Sequence, residues 1–276
     1  MNDRTLAFIG GGNMASALIN GLIEDGTAPQ NMIVAEPDEQ RREQLAVRFG
    51  IRTVDDNTLA AREADILILA VKPQVLKSVA TTLAPTLASN SPLCLSIAAG
   101  IRHASLQHWL GDDIALVRVM PNTPAMLGAG ASGLYAPESV SEAQRSEAEH
   151  IMRATGIAVW LDDEAQMDAL TAVSGSGPAY FFLFMEAMEN SARRLGLTEK
   201  TAHLLVLQTA LGAARMALES ANSLADLRNS VTSPGGTTEK AIDIFQKQGL
   251  EQLVDKALTA ARDRSVEMSA SLGKED

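Results

Sequence analysis

The chain has 276 residues, 46% of them hydrophobic but only 4% aromatic, and a formal net charge of −11 at pH 7. That length supports two modest domains or one large one, and the apolar content excludes wholesale disorder. The acidic balance excludes nucleic acid and anionic membrane as main partners, while leaving room for a local basic pocket.

The first predicted strand is "TLAFIG", followed at once by glycines and a helix from Met14 to Glu24. Its apolar run is too short for a signal peptide, and no later stretch is long and clean enough to span a bilayer. A cytoplasmic protein with no membrane association is therefore expected. The loop itself reads Gly10-x-Gly12-x-x-Ala15. In a strand–turn–helix setting the first glycine permits the tight turn and the second lets the backbone approach a pyrophosphate. The alanine lets the helix pack on the strand. Dinucleotide binding follows, with the phosphates at the helix N-terminus.

The second strand, "NMIVAE", ends at Glu36. An acid there accepts hydrogen bonds from a ribose 2′-hydroxyl and repels a 2′-phosphate, which tilts the cofactor toward NADH. Arg41 and Arg42, in the helix predicted over Asp38–Phe49, are positioned to counter that charge. The next strand, "DILILAV", is apolar throughout, as a strand buried on both faces should be. It delivers Ala70, Val71, Lys72 and Pro73 to a strand's carboxyl end, where ligands bind in such sheets. Lys72 precedes a proline and is held extended, with its ammonium free for a phosphate or a carboxylate.

"LCLSIAA" follows, carrying the one cysteine, Cys94, which reads as a core residue and rules out an intrachain disulfide. Its end, "SIAAG", offers small residues against which a nicotinamide can lie. "IALVRVM", "SGLYA" and "GIAVWL" extend the sheet. Strands alternating with helices predict an α/β, Rossmann-type doubly wound domain over residues 1–162.

The rhythm then changes, and residues 163–276 read as all-helical. Pro178 opens a helix to Leu195, Thr198 caps one to about Ser220, another runs from Thr237 or Thr238 to near Gly249, and the last spans Leu250–Leu272. "SGSGPAY" reads as a tight turn at Ser174–Gly177, with a serine capping the helix or the turn facing the cofactor. "TAHLLVLQTALGAARMALES" is apolar nearly all round and must be covered, by a subunit interface or by a compact monomeric bundle. His103, His108, His150 and His203 are scattered, and no metal site or nucleophilic triad emerges. His203 reads as a core residue. The acids Asp162, Asp163 and Glu164 read as a solvated boundary.

"VTSPGGTTEKAI" is the second anion-binding candidate. Pro234 and two glycines expose amides, and the helix beginning at Thr237 or Thr238 presents further N–H groups without intrahelical partners.

Taken together, "GGGNMA", "AVKPQ", "SIAAG", "VMPNTPA", "SGSGPAY" and "LRNSVTSPGGTTEKAI" resemble the pyrroline-5-carboxylate reductase family, in order, from residue 10 to 242. The resemblance implies a Rossmann domain followed by a helical dimerisation domain. It implies NAD(P)H-dependent reduction of a cyclic imine to L-proline, the last step of proline biosynthesis, with NADPH or NADH as cofactor. It further implies a homodimer through the helical domain, or a higher ring such as a decamer. Carried over by motif, it puts Gly10, Gly11, Gly12, Asn13, Met14, Asn57, Ala70, Val71, Lys72 and Ala98 near the cofactor. Ser233, Gly235, Gly236, Thr237 and Thr238 fall to the substrate, with Glu164 lining the site and the Thr238 hydroxyl supporting the ring nitrogen. Glu36 departs from relatives that favour NADPH, which carry a small hydroxyl residue nearby. "ESANSLADL" lacks an acid that some relatives place near the substrate. Two rivals are a β-hydroxyacid dehydrogenase, for which Lys200 or Lys240 would have to serve as the catalytic lysine, and a non-catalytic nucleotide-binding regulator.

Overall fold

The computed structural model describes residues 4–273. Eight strands form one sheet: β1 (Leu6–Ile9), β2 (Met32–Ala35), β3 (Arg52–Val54), β4 (Ile66–Leu69), β5 (Leu93–Ser96), β6 (Leu116–Met120), β7 (Gly130–Tyr135) and β8 (Gly156–Trp160). Their spatial order is β3-β2-β1-β4-β5-β6-β7-β8. All neighbours are parallel except β6 and β7, which pair antiparallel with Val119 opposite Leu134. The link between these two holds only a short 3-10 helix, Thr123–Leu127, and a parallel return needs a longer crossover. Strand β3 carries no apolar run in sequence. It is a three-residue edge strand, half-exposed, paired with β2 alone.

The helices are α1 (Asn13–Glu24), α2 (Glu39–Phe49), α3 (Asn57–Glu63), α4 (Pro73–Asn90), α5 (His103–Leu110), α6 (Glu142–Arg153) and α7 (Gln166–Leu170), followed by α8 (Gly177–Arg194), α9 (Glu199–Glu219), α10 (Leu224–Ser230), α11 (Thr237–Lys247) and α12 (Leu250–Leu272). Helices cover the sheet on both sides. Leu6 and Phe8 of β1 join one core with Leu18, Leu22, Leu45 and Ile151, while Ala7 and Ile9 join the other with Leu76, Leu83 and Leu106. Alternate residues of one strand thus feed two cores, each large aliphatic contributing roughly 1.5–3 kcal/mol on full burial. Cys94 is buried, as expected, and burial pushes its thiol up to about 12.

Two compact units divide the chain. One runs through Ser176 and resumes at Ala261; the other is Gly177–Ala260. The last strand, β8, does end where the sequence changes rhythm. Helix α7 and the segment after it nonetheless stay with the sheet unit. That segment, Thr171–Gly175, is π-helical rather than a tight turn, and the Ser176 amide reaches back to the Thr171 carbonyl at 2.8 Å. Ser174 does not cap α8. Its hydroxyl donates to the Ala131 carbonyl of β7 at 3.0 Å. The last turns of α12 also belong to the sheet unit, where the Ser265 hydroxyl donates to Asp168 Oδ1 at 2.7 Å.

The second unit is all helical. Thr198 caps α9 through the Thr201 amide, as its sequence predicts, and Gly196 takes a left-handed φ of +102° just after α8. The rings of Phe184 and Phe245 lie 6.0 Å apart. In the chain on its own, only Ala202 and Val206 of α9 are buried. His203, read as a core residue, has a largely exposed side chain and pairs with Glu189 at 2.7 Å. No helix among the described residues is long and apolar enough to cross a membrane.

Candidate active site

In a doubly wound sheet, ligands bind beyond the carboxyl ends of the strands where the strand order reverses. Here that point lies between β1 and β4, which pair in parallel with Ile9 opposite Leu69. Four of the motifs read from the sequence end at this edge. The Gly10 amide donates to the Ala35 carbonyl (2.8 Å), the Ala70 amide to the Ile9 carbonyl (2.8 Å) and the Ile97 amide to the Leu69 carbonyl (3.2 Å). Gly10, Glu36, Ala70–Val71 and Ala98 are thereby held at the ends of four adjacent strands.

The glycine loop has the form a dinucleotide needs. Gly10 has φ +98°, and a Cβ there would sit 2.9 Å from the Ala70 carbonyl oxygen. A Cβ on Gly12 would meet nothing within 4 Å, so the face the pyrophosphate would approach is open. Gly12 is also the N-cap of α1 and supplies no side-chain cap, leaving the first amides of the helix to an incoming anion. Ala15 is fully buried against the sheet. Asn13 and Met14 begin α1, and Asn57 is the first residue of α3. Lys72 is extended (φ −62°, ψ 144°) as the N-cap of α4 and exposed, and Pro73 is the first residue of that helix. Lys72 forms no ion pair among the described residues. These groups fit a dinucleotide.

Glu36 is placed differently from a ribose reader facing outward. It is buried, its Oε2 accepts from the Gly11 amide at 2.9 Å and its Oε1 from the Asp38 amide at 3.1 Å. Sequence alone supplied the position of this acid but not its engagement with the glycine loop.

In the helical unit, Ser233–Thr238 forms the expected turn into α11. Gly235 has φ +73°, and Gly236 is the N-cap without a side-chain cap. The hydroxyls of Thr237 and Thr238 make no hydrogen bond among the described residues, and their amides lie in the first turn, without intrahelical acceptors. The Gly235 amide is already engaged, donating to Glu239 Oε2 at 2.9 Å. The sequence reading missed this carboxylate. Its place four residues after a glycine at a helix start was the available signal. Lys200 and Lys240 are exposed.

Glu164 lies on the sheet unit inside a polar network. Its Oε1 accepts from Arg118 Nη1 and from the His103 amide, both at 2.6 Å. Arg118 is buried, so Glu164 compensates a buried cation and caps α5 from outside. A buried acid nearby in sequence, Asp168, accepts from Arg102 Nη2 at 2.6 Å. The His103 ring donates to the Leu116 carbonyl through Nε2 at 3.2 Å. Burial pulls its imidazole below the ordinary value, outweighing the opposing pull of that bond and of Glu164. Asn122 receives the Ala131 amide on Oδ1 (2.9 Å) and donates to the Ser174 carbonyl (3.2 Å). It therefore stitches the loop after β6 to β7 and to the π-helical turn.

Comparison with known proteins decides the family. Over 99% of its length, and all of the relative's, the chain is 53% identical to pyrroline-5-carboxylate reductase of Pseudomonas aeruginosa. The chain belongs to the pyrroline-5-carboxylate reductase family. The family's dimerisation model matches residues 164–268, and a model described as NADP oxidoreductase, coenzyme F420-dependent, matches residues 5–100. Among solved structures, a pyrroline-5-carboxylate reductase from Coxiella burnetii matches with a TM-score of 0.94 at 46% identity, covering 97% of this chain and 99% of that one. A Plasmodium falciparum pyrroline carboxylate reductase with NADP bound matches with a TM-score of 0.86 at 30% identity, covering 98% and 99%. As a pyrroline-5-carboxylate reductase family member, the chain pairs a Rossmann-type unit with a helical dimerisation domain and is a homo-oligomer.

Proposed function

We propose that the two bare helix starts divide the work of the reaction. Those of α1 and the 10–14 loop hold the cofactor diphosphate, and those of α11 and the 233–238 loop hold the substrate acid. The protein is an oxidoreductase: it reduces pyrroline-5-carboxylate to proline with NAD(P)H, the last step of proline biosynthesis. The observation that carries this is the full-length identity of 53% together with a glycine loop at the β1/β4 switch point. A cytoplasmic location is part of the same reading.

Bound NAD(P)H supplies a hydride to the C=N carbon. The chain's own residues bind, orient and stabilise. The open face of Gly12 and the first amides of α1 take the diphosphate, with Met14, Asn57, Val71, Lys72 and Pro73 around it and Ala98 leaving room for the ring. The Thr237 and Thr238 amides take the substrate carboxylate, helped by the helix dipole, with Ser233, Gly235 and Gly236 shaping the turn. The Thr238 hydroxyl has no hydrogen-bond partner among the described residues and supports the ring nitrogen. When the protonated imine accepts hydride, the two electrons of the C=N π bond become the lone pair of a secondary amine, so no strong protein acid is required. Catalysis is then mostly positioning. Glu164 serves through Arg118 and α5. Assembly proceeds through the helical unit as a homodimer, and a decameric ring is the higher form in this reading. The test is Thr238→Ala, which should lower kcat/KM about tenfold to a hundredfold.

A further inference from the structure

We infer that Arg41 and Arg48 read the 2′ position of the cofactor's adenosine and select a 2′-phosphate, while Glu36 is a positioning residue for the glycine loop. This rests on the dinucleotide reading of that loop. An acid that reads a ribose diol must offer its oxygens to the ligand. Both oxygens of Glu36 already receive a backbone amide, from Gly11 at 2.9 Å and Asp38 at 3.1 Å, and the residue is only 8% exposed. The contact is tight as well. A Cβ on Gly11 would fall 3.3 Å from Glu36 Oε2 and 2.5 Å from Leu45 Cδ1. Arg42 is spent on the same turn, donating through Nη1 to the carbonyls of Glu36 and Pro37, both at 2.8 Å.

The neighbouring cations are not spent. A cleft of about 220 Å³ opens beside the glycine loop, with Asn13, Ser16, Arg41, Gln44 and Arg48 among its lining and Leu45 as its apolar wall. No acid lines it. Arg41 makes no side-chain hydrogen bond or ion pair among the described residues. Arg48 has none either, and its guanidinium rests over the Phe49 ring, 4.7 Å from the centroid. In a chain of net charge −11, two arginines without a counter-charge lining one small cleft are suited to a phosphate dianion, which their planar forks can bind in two-point fashion. A 2′-hydroxyl offers them far less. The site therefore discriminates by attraction from α2, not by repulsion from the end of β2.

Titration calorimetry with adenosine 2′,5′-bisphosphate and 5′-AMP on the intact protein tests this. The unaltered protein should hold the bisphosphate about tenfold or more tightly than AMP, the scale of one charge-assisted contact. Arg41→Ala/Arg48→Ala should erase that ratio and leave AMP affinity unchanged. Glu36→Ala should weaken both nucleotides by one factor, and Glu36→Gln, which keeps one acceptor for the Gly11 amide, should recover part of the loss at the unaltered ratio. Thermal midpoints of each variant report folding independently. A ratio that survives the double arginine substitution, or a Glu36 variant that gains affinity for the bisphosphate alone, would overturn the inference. Binding of neither nucleotide by the unaltered protein would overturn the dinucleotide reading, and this inference with it.

Discussion

In the function proposed above, Thr238 is the residue on which the chemistry turns. Its hydroxyl makes no hydrogen bond among the described residues, so removing it should cost the fold little and, on that proposal, the reaction much. Thr238→Ala should lower kcat/KM about tenfold to a hundredfold, for a lost hydrogen bond of roughly 1.5–3 kcal/mol, with an unchanged melting temperature. Steady-state kinetics would show it, and unaltered kinetics would remove Thr238 from the site. Gly10 acts in the opposite way. At φ +98° with the Ala70 carbonyl 2.9 Å from a would-be Cβ, Gly10→Ala forces a left-handed alanine at about 1–2 kcal/mol and displaces the loop. Both the thermal midpoint and nucleotide affinity should fall, and retention of both would contradict the turn's role. At this scale the sequence was legible where a residue's conformation mattered, as at Gly10, Thr198 and Lys72. It was less legible where a side chain had several possible partners. Glu36 and Glu164 were both singled out, yet a residue type and a spacing do not say that one carboxylate turns to Gly11 and the other to Arg118. Those choices depend on which donors folding leaves unpaired.

At the scale of elements, the half-buried ion pairs and the His103 ring around α5 set both stability and its pH dependence. Glu164→Ala would leave Arg118 buried without its counter-charge, at a cost of ~3–5 kcal/mol, visible as a lower denaturant midpoint. A nearly unchanged midpoint would show that water replaces the carboxylate. His103 adds a pH term whose sign follows from its surroundings. Its folded imidazole is held below the ordinary value of 6.5, chiefly by burial. As the pH falls through that value the unfolded chain takes up the proton first, so stability is present at neutral pH and lost on acidification. Melts across this range should decline toward acid, and His103→Gln should flatten the decline. The elements themselves were largely legible, since uninterrupted apolar strands and capped helices announce themselves. Strand β3 was not, because three half-exposed residues at a sheet edge carry no pattern. Nor was the direction of β7, which the short link after β6 dictates. The π-helical turn at 171–175 comes with a Ser174 bond across to β7, a contact no local sequence reveals.

At the scale of the whole molecule, the helical unit presents more apolar surface than a lone chain should keep in water. Leu204 and Leu211 of α9 are 58% and 56% exposed, and Phe181 and Leu183 of α8 are 69% and 66% exposed. Patches of this kind mark association surfaces, which accords with the dimerisation model matched over 164–268. Leu204→Glu/Leu211→Glu should shift the mass seen by light scattering toward the monomer and lower activity with it. An unchanged mass would place the interface elsewhere. The measurement that bears most directly on the protein's function is oxidation of NADPH and of NADH by the purified protein with and without pyrroline-5-carboxylate, with proline assayed at the end. Imine-dependent oxidation yielding one proline per cofactor oxidised is predicted. Absence of imine-dependent oxidation with both cofactors would contradict the assignment.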